Sequence, residues 1–407
     1  MKNKIQFILI SVIFLLFSIS VYAKADKLRL MYNKSINSMT LAWVQVDGKS
    51  PTIFFDSDEN FKKNKSLNKA ISPQKSYKYL KMYHYFATFN NLKPNTIYHF
   101  IIKDSKEESQ VYWFKTMSKN PEKISVIAGG DSRSQPSIRR LANRMVAKLQ
   151  PDFVIFDGDF TSANSSAQWA QWLDDWQLTI TNGRIIPIIP VMGNHERGNV
   201  MPNIFDIPED SYYSLDFSNI LHLTVLNTNI NITGAQTDWL IKDLNSISDS
   251  WKFTVFHKPM RPHYSHKSEG DDIYDAWANI FFKHKIDIVL DGDTHVNKIT
   301  YPIRPSTKYD SEEGFIRDDE NGTIYLGEGT WGAPLRPFDD TKSWTMDGAS
   351  IYQFKWIFIS NNKVQIRTVK FENVDNVDNL SFDNRFSIPK NIDIWKPLGQ
   401  EFVEIIK

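Results

Sequence analysis

Short polar motifs at the ends of apolar runs constrain the fold of this chain more than any other feature of its sequence. The runs are rich in Ile, Val and Phe, as buried strands are, and helix-like segments lie between several of them. Strands that alternate with helices indicate an α/β domain, in which loops at strand ends build the functional site. The motifs are Gly130-Asp131-Ser132-Arg133, Gly158-Asp159, Gly193-Asn194-His195-Glu196, Val255-Phe256-His257 and Gly292-Asp293-Thr294-His295.

Apolar and amphipathic patterns divide this part of the chain into predicted elements. We predict strands at 124–128, 153–156, 185–191, 252–256 and 286–290, and helices at 138–149, 168–178 and 236–244. Residues 323–370 are strand-rich and are expected to close the sheet. Trp169, Trp172 and Trp176 have the spacing of a helix face, which is more typical of core packing than of stacking on a substrate.

Residues 26–118 have a different character, with short strand-like runs separated by turn residues. This pattern predicts a β-sandwich. The stretch from Asn91 to Tyr98 resembles the tyrosine corner of fibronectin type III domains, with Tyr98 carrying the corner hydrogen bond. The Lys- and Asn-rich segment at 56–69 is expected to be a solvated loop.

Residues 1–23 have the pattern of a signal peptide, which predicts export to the periplasm or the medium. Lys2 and Lys4 form a basic start, an apolar run follows, and Ala23 ends a stretch suited to cleavage. The alternative is an uncleaved anchor, but the apolar run of about 17 residues is at the short limit for a spanning helix. No later run is long enough, so no stable membrane anchor is expected after cleavage.

Composition excludes several classes of site and partner. The formal net charge is +1, with 48 basic and 47 acidic residues, so nothing favours nucleic acid as a structural partner. The chain has no cysteine, which excludes disulfides, thiol nucleophiles and zinc–thiolate sites. Any metal is therefore held by His, Asp, Glu or Asn. Composition leaves the oligomeric state open.

The polar motifs together predict a metal site. A single Gly-Asp after a strand is usually a turn, but here three Asp, one Asn and two His end successive strands. Carboxylates gathered in this way repel one another without cations. Carboxylate, amide and imidazole groups together suit Mn, Fe, Zn or Mg. We therefore expect two divalent or trivalent metal ions.

The order of these motifs resembles the calcineurin-like metallophosphoesterase superfamily. The sandwich ahead of them makes the chain most similar to the purple acid phosphatase group, which has a fibronectin-like domain before its catalytic domain. The resemblance runs from about residue 26 to 370, and the helix pattern Gln236-Thr237-Asp238-Trp239-Leu240 is part of it. It implies a β-sandwich at 24–118 and a four-layer αββα catalytic domain at 122–370. It assigns no role to the polar C-terminal extension at 371–407.

The resemblance also implies roles for single residues. Asp159 bridges the two metals, and His195 lies near the phosphate as a general acid or a hydrogen-bond donor. The remaining metal ligands are Asp131 and His295 for the first metal, and Asn194, His257 and Asp293 for the second.

This sequence departs from the family pattern at several positions. Ser162 replaces the tyrosine whose charge transfer to iron colours purple acid phosphatases, so this protein is not expected to be purple. Arg133 replaces a histidine of many other relatives, and either lies in solvent or clamps a phosphate bidentately. Asp293 replaces a histidine, which favours Mn, Mg or Fe over Zn. Asp291 lies two residues before Asp293 and is an alternative candidate, which would hydrogen-bond a metal ligand instead of binding the metal itself.

A loop after His257 carries further histidines. The run His266-Lys267-Ser268-Glu269-Gly270 resembles a substrate loop of plant-type purple acid phosphatases, which makes His266 a candidate for substrate contact or proton donation. His263 is a weaker candidate. The expected activity is hydrolysis of small phosphate monoesters. The alternatives are a phosphodiesterase or nucleotide hydrolase, or a non-catalytic binding protein with a decayed metal site.

Overall fold

The computed structural model describes residues 25–33, 35–247 and 249–407. The predicted signal peptide lies outside these described residues. Within the described ranges, no helix combines the length and the apolar character that crossing a bilayer requires.

The N-terminal unit is a β-sandwich, as predicted. Its sheets have the strand orders β1-β2-β6-β5 and β4-β3-β7-β8, and aromatic and aliphatic side chains fill the space between them. The strands are β1 (Ala25–Tyr32), β2 (Met39–Gln45), β3 (Thr52–Ser57), β4 (Lys69–Ile71), β5 (Lys75–Tyr79), β6 (Met82–Phe89), β7 (Ile97–Lys103) and β8 (Tyr112–Lys115).

The structure confirms the predicted tyrosine corner of the sandwich but corrects part of the predicted loop at 56–69. The buried Tyr98 hydroxyl accepts a hydrogen bond from the Lys93 backbone N–H at 2.9 Å, which confirms the tyrosine corner. The loop predicted at 56–69 was wrong in part, because it contains helix α1 (Asp58–Asn64). Acidic residues in its first turn and basic residues in its last turn complement the helix dipole, and none of its side chains is buried. The segment lacks an apolar face, so no periodic signal marked the helix.

The C-terminal unit contains two seven-stranded sheets. The first has the order β11-β10-β9-β21-β22-β23, with β24 also paired to β22, and the second has the order β12-β13-β14-β15-β19-β16-β20. Strands β17 and β18 form a separate hairpin. The strands are β9 (Lys123–Gly129), β10 (Phe153–Phe156), β11 (Ile188–Pro190), β12 (Tyr213–Phe217), β13 (Leu221–Val225), β14 (Trp251–Val255), β15 (Ile288–Leu290), β16 (Asn297–Thr300), β17 (Ile303–Pro305), β18 (Phe315–Arg317), β19 (Ile324–Gly327), β20 (Thr345–Ala349), β21 (Gln353–Ser360), β22 (Lys363–Lys370), β23 (Asp393–Trp395) and β24 (Val403–Ile406).

Helices cover the outer face of each sheet, which confirms the four-layer αββα architecture. One core lies between the sheets, and two more lie between a sheet and its helices. Trp169, Trp172 and Trp176 are fully buried in the core under the first sheet, so they do not face a substrate. The helices are α2 (Pro136–Leu149), α3 (Ser166–Trp176), α4 (Val200–Phe205), α5 (Ala235–Leu244), α6 (Asp271–Ile273) and α7 (Asn279–Lys283), with a π-helical turn (Tyr274–Ala278) between the last two.

The segment at 371–407, for which the sequence predicted no role, extends the first sheet. Strand β23 pairs with the end of β22, and β24 pairs with its beginning. Val403 is buried and packs in the core between the sheets. Both strands are only three or four residues long and lie in polar surroundings, which explains why the sequence pattern did not reveal them.

The sandwich lies against the β11 edge of the first sheet. Leu30 of β1 forms a bridge with Pro187, next to β11. The buried Arg29 donates from Nε to the Ile204 carbonyl at 2.8 Å and contacts Nδ1 of His84 at 2.8 Å. Strand β11 is the last strand on this side of the sheet, and the prolines in and beside it suit an edge position. The two units therefore pack together through the β11 edge of the first sheet of the C-terminal unit.

His222 gives the C-terminal unit a pH-dependent contact. Its ring is buried and contacts Asp216 at 2.7 Å through Nδ1 and Asp243 at 3.0 Å through Nε2. Burial opposes the charged ring, but hydrogen bonds to Asp216 and Asp243 raise the pKa of His222 to about 9. The stabilisation is therefore complete below the unfolded pKa of about 6.5 and is lost as the pH rises through about 9.

We expect His222→Gln to lower the stability of the protein by about 2 kcal/mol at pH 6 and by much less at pH 10. Thermal unfolding of the variant and the wild type at both pH values measures this difference. His284→Gln serves as the control, because His284 is only half-buried and follows the C-terminal end of α7. An equal loss of stability at pH 6 and pH 10 would contradict a charged His222.

Candidate metal centre

The five polar motifs converge at one edge of the catalytic unit. Strands β9, β10 and β11 are parallel in the first sheet, as are β14 and β15 in the second, and the motif loops follow their carboxyl ends. Ligand atoms of Asp131, Asp159 and His257 all lie within 4.8 Å of one another, and all three residues are buried. Residues far apart in the sequence therefore form one cluster.

His257 lies at the centre of one half of the cluster. Its Nε2 is 3.2 Å from Asp159 Oδ1, 3.1 Å from Asn194 Oδ1 and 3.8 Å from Asp293 Oδ1. Its Nδ1 contacts the Asp157 carbonyl at 2.8 Å, so Nδ1 carries a proton and donates it. This second contact leaves Nε2 directed at the carboxylates, as in a metal-binding histidine.

Asp131 and His295 form the other half. His295 Nε2 is 3.2 Å from Asp131 Oδ1, and its Nδ1 donates to the Pro334 carbonyl at 3.0 Å. Asp131 Oδ2 accepts the backbone N–H of Asp293 at 2.8 Å. The Asp131 carboxylate therefore joins the loop after β9 to the loop after β15.

Arg133 and His195 lie beside this cluster rather than in solvent. Arg133 Nη1 contacts His195 Nε2, and its Nη2 is 3.2 Å from His295 Nε2. Arg133 Nε is 3.7 Å from Asp159 Oδ2. His195 Nδ1 donates to the Ser162 carbonyl at 2.6 Å, which turns Nε2 into the site. The Ser162 hydroxyl donates to the Arg133 carbonyl at 3.2 Å.

The backbone at the cluster is strained. Asp131, Asp159, Asp293 and His295 have φ values of 56°, 54°, 68° and 63°, a left-handed region that non-glycine residues rarely adopt. Asp and His enter this region more readily than most side chains, so the cost of each is at the low end of about 1–3 kcal/mol. At Gly193 an added Cβ would lie 2.2 Å from the Asp159 backbone N, so only glycine allows the two loops to approach.

Glu196 holds these loops together, a role the sequence did not reveal. The buried carboxylate accepts backbone N–H groups from Asp159 at 2.9 Å, Phe160 at 3.0 Å and Gly193 at 3.0 Å. Burial and the charge of Asp159 raise the pKa of Glu196 to about 8. Its position in the Gly-Asn-His-Glu motif was the only signal available from the sequence.

The chemistry of the cluster fits a cation. Asp131 Oδ1 and Asp159 Oδ2 are buried and have no hydrogen-bond partner among the described residues. Burial raises the pKa of Asp159, but His257 and His195 lower it overall, so it remains a carboxylate. Burial lowers the pKa of His257, but Asp159 and Asp131 raise it well above its usual value. Unpartnered carboxylate oxygens beside imidazole nitrogens are a donor set suited to transition-metal ions or Mg²⁺.

The histidine-containing loop lies on the Asn194 side of the cluster. His266 is exposed, and it lines a cavity of about 370 Å³ together with Asn194 and Asp293. Lys267, which the sequence did not single out, approaches Asp293 Oδ2 at 2.6 Å. His263 is not at the site, because it is fully buried between Glu328 and Thr345.

Buried charges behind the cluster were also missed. Lys298 Nζ lies 2.9 Å from Asp291 Oδ2 and 2.8 Å from Glu328 Oε1. Asp291 thus pairs with a buried lysine through Oδ2, whereas its Oδ1 has no hydrogen-bond partner among the described residues. Asp157, just before the Gly-Asp motif, is buried, and burial and Asp131 raise its pKa well above its usual value.

Family models match both units of the chain. The model described as the purple acid phosphatase N-terminal domain matches residues 25–116, and that of the calcineurin-like phosphoesterases matches residues 130–297. A relative named Fe(3+)-Zn(2+) purple acid phosphatase 12, from Arabidopsis thaliana, is 22% identical over 74% of this chain and 70% of its own length. A phosphoenolpyruvate phosphatase from Allium cepa is 23% identical over 72% of this chain and 67% of its own length.

Solved structures show the same fold. The purple acid phosphatase PPD1 of yellow lupin (Lupinus luteus) matches 90% of this chain and 76% of its own, with a TM-score of 0.73 and 16% identity. PhoD matches 86% of this chain and 87% of its own, with a TM-score of 0.65 and 13% identity. The chain therefore combines a domain that matches the purple acid phosphatase N-terminal domain with a domain that matches the calcineurin-like phosphoesterases.

Proposed function

We propose that this protein is an exported phosphatase that hydrolyses small phosphate monoesters with two metal ions. The observation that carries the proposal is the convergence of six potential ligands. Two of their buried carboxylate oxygens lack hydrogen-bond partners among the described residues. The names of the two plant relatives support a phosphatase. The proposed ligands are Asp131, Asp159 and His295 for one ion, and Asp159, Asn194, His257 and Asp293 for the other.

The chain's own residues would position the ester and manage its protons. When bound, the two ions supply the Lewis acidity and water activation that phosphoester hydrolysis needs. Arg133 already presents two N–H groups towards the cluster and would donate them to phosphoryl oxygens. With Arg133 on the phosphate, His195 Nε2 is free to hold a proton for the leaving oxygen, because its Nδ1 is fixed on Ser162. His266 lies at the rim and would contact the rest of the substrate.

The second candidate function is hydrolysis of phosphodiesters or nucleotides. A second cavity beside Asn194 favours it. A further cavity of about 640 Å³ shares Asn194, Thr228 and Lys258 with the cavity that His266 lines. Two adjoining cavities offer room for a substituent on the phosphate beyond a single small alcohol. The third candidate is a non-catalytic binding protein with a decayed metal site.

The first test is hydrolysis of p-nitrophenyl phosphate and bis-p-nitrophenyl phosphate by the metal-stripped protein after addition of Mn, Fe, Zn or Mg. We expect turnover of the monoester, two ions per chain by elemental analysis, and better restoration by Mn, Mg or Fe than by Zn. Preference for the diester would support the second candidate. A protein with no bound metal and no turnover under any condition would support the binding-protein reading.

Export is a separate proposal that rests on residues 1–23. Expression of the full chain in a bacterium and N-terminal sequencing of the periplasmic fraction test it. A mature protein that begins just after Ala23 is expected, whereas an intact Met1 terminus in the membrane fraction would indicate the uncleaved anchor.

A further inference from the structure

An ion pair connects the loop after β14 to the candidate ligand Asp293. Lys267 Nζ is 2.6 Å from Asp293 Oδ2, and both side chains are largely withdrawn from solvent, with exposures of 26% and 6%. The other carboxylate oxygen, Oδ1, lies on the His257 side at 3.8 Å from Nε2. The two oxygens of Asp293 therefore have different partners.

The remaining contacts of Asp293 leave little freedom. Its backbone N–H donates to Asp131 Oδ2 at 2.8 Å, and its carbonyl accepts from Arg336 Nη1 at 3.1 Å. Its φ of 68° marks a backbone held against its preference. Because the backbone is fixed on both sides, the Lys267 contact determines which oxygen faces the cluster.

Asp293 adds a negative charge to the candidate centre. The resemblance described above implies a histidine, with a neutral imidazole, where this chain has the Asp293 carboxylate. An extra negative charge in a phosphate-binding cavity would repel a phosphate dianion. The repulsive Coulomb energy between the two charges rises as their distance falls. Lys267 supplies one positive charge in direct contact with the carboxylate.

We propose that Lys267 is a positioning and charge-balancing residue that makes Asp293 equivalent to a neutral ligand. It holds Oδ2, leaves Oδ1 to face the second metal position, and keeps the cavity attractive to phosphate. This inference rests on the proposed two-metal function. It explains how a carboxylate at this position is compatible with binding of a phosphate.

Binding of inorganic phosphate to the metal-loaded protein, measured by calorimetry, tests the inference without turnover. We expect Lys267→Met to weaken phosphate binding at least tenfold, with two metals still bound, and Lys267→Arg to retain most of the affinity. The decisive variant is the double change Lys267→Met with Asp293→His. Removing the carboxylate's charge should restore phosphate affinity to within about threefold of the wild type.

The controls separate this inference from the proposed function. Lys258→Met tests the other lysine of the same cavity, which has no carboxylate within 4 Å among the described residues; Asp293→His should not alter the effect of Lys258→Met. The proposed charge balance is wrong if Lys267→Met leaves phosphate binding unchanged. It is also wrong if adding Asp293→His to Lys267→Met fails to restore phosphate binding. A wild-type protein that binds no metal would instead overturn the proposed function itself.

Discussion

Asp159→Asn is expected to lower kcat/KM for the preferred ester by about 1,000-fold or more, equivalent to about 4 kcal/mol of lost transition-state stabilisation. Asp159 is buried at the centre of the cluster, with Oδ1 3.2 Å from His257 and Oδ2 without a hydrogen-bond partner among the described residues. Asparagine has nearly the same shape but no charge, so it is a poor bridge between two cations. The folded structure should survive, because the change removes no volume.

Activity and elemental analysis of the purified variant check this expectation together. We expect the metal content to fall from two ions per chain to one or fewer. Asp378→Asn, an exposed change in the C-terminal segment, should preserve both quantities. If Asp159→Asn keeps both ions and more than a tenth of the activity, Asp159 is not a bridging ligand.

The second large effect is expected for Glu196→Ala, this time on stability as well as activity. Three backbone N–H groups, from Asp159, Phe160 and Gly193, lose their common acceptor in a region closed to solvent. An unsatisfied buried donor costs about 1–3 kcal/mol, so even after partial relaxation we expect a loss of about 3 kcal/mol. For a domain of this size that loss lowers the thermal midpoint by roughly 6–12 °C.

Thermal unfolding of the metal-stripped and metal-loaded variant measures this loss. Displacement of the Asp159 loop should also reduce kcat/KM at least a hundredfold, although Glu196 is not one of the proposed metal ligands. Glu372→Ala, at an exposed position, should change neither quantity. An unchanged thermal midpoint in Glu196→Ala would show that water replaces the carboxylate at no cost.

Much of the candidate centre could be predicted from the sequence because its residues follow strands directly. A buried strand has a clear apolar signature, and in parallel sheets the carboxyl ends lie at one edge. Asp131, Asp159 and Asp293 could therefore be assigned to a common site before any contact was known. Tyr98 was predictable for a similar reason, since its hydrogen bond closes within six residues of the chain.

Other parts of the site depended on contacts that leave no periodic pattern in the sequence. Glu196 and Asp159 are 37 residues apart, and Lys267 reaches Asp293 from a different loop. From the sequence alone, a lysine or glutamate in a loop is predicted to be exposed to solvent. Whether its charge is buried depends on the distant segments that pack against it.

The amino-acid sequence by itself determined the two-unit organisation, the strands that carry the polar motifs, and the kinds of candidate ligand gathered at their ends. These properties follow from local patterns of apolar and polar residues. Only the tertiary structure decided that Arg133 lies inside the site, that His263 lies outside it, and that residues 393–406 complete a catalytic sheet. The physical reason is that long-range packing sets the burial and the partners of a polar side chain, whereas its neighbours in sequence do not.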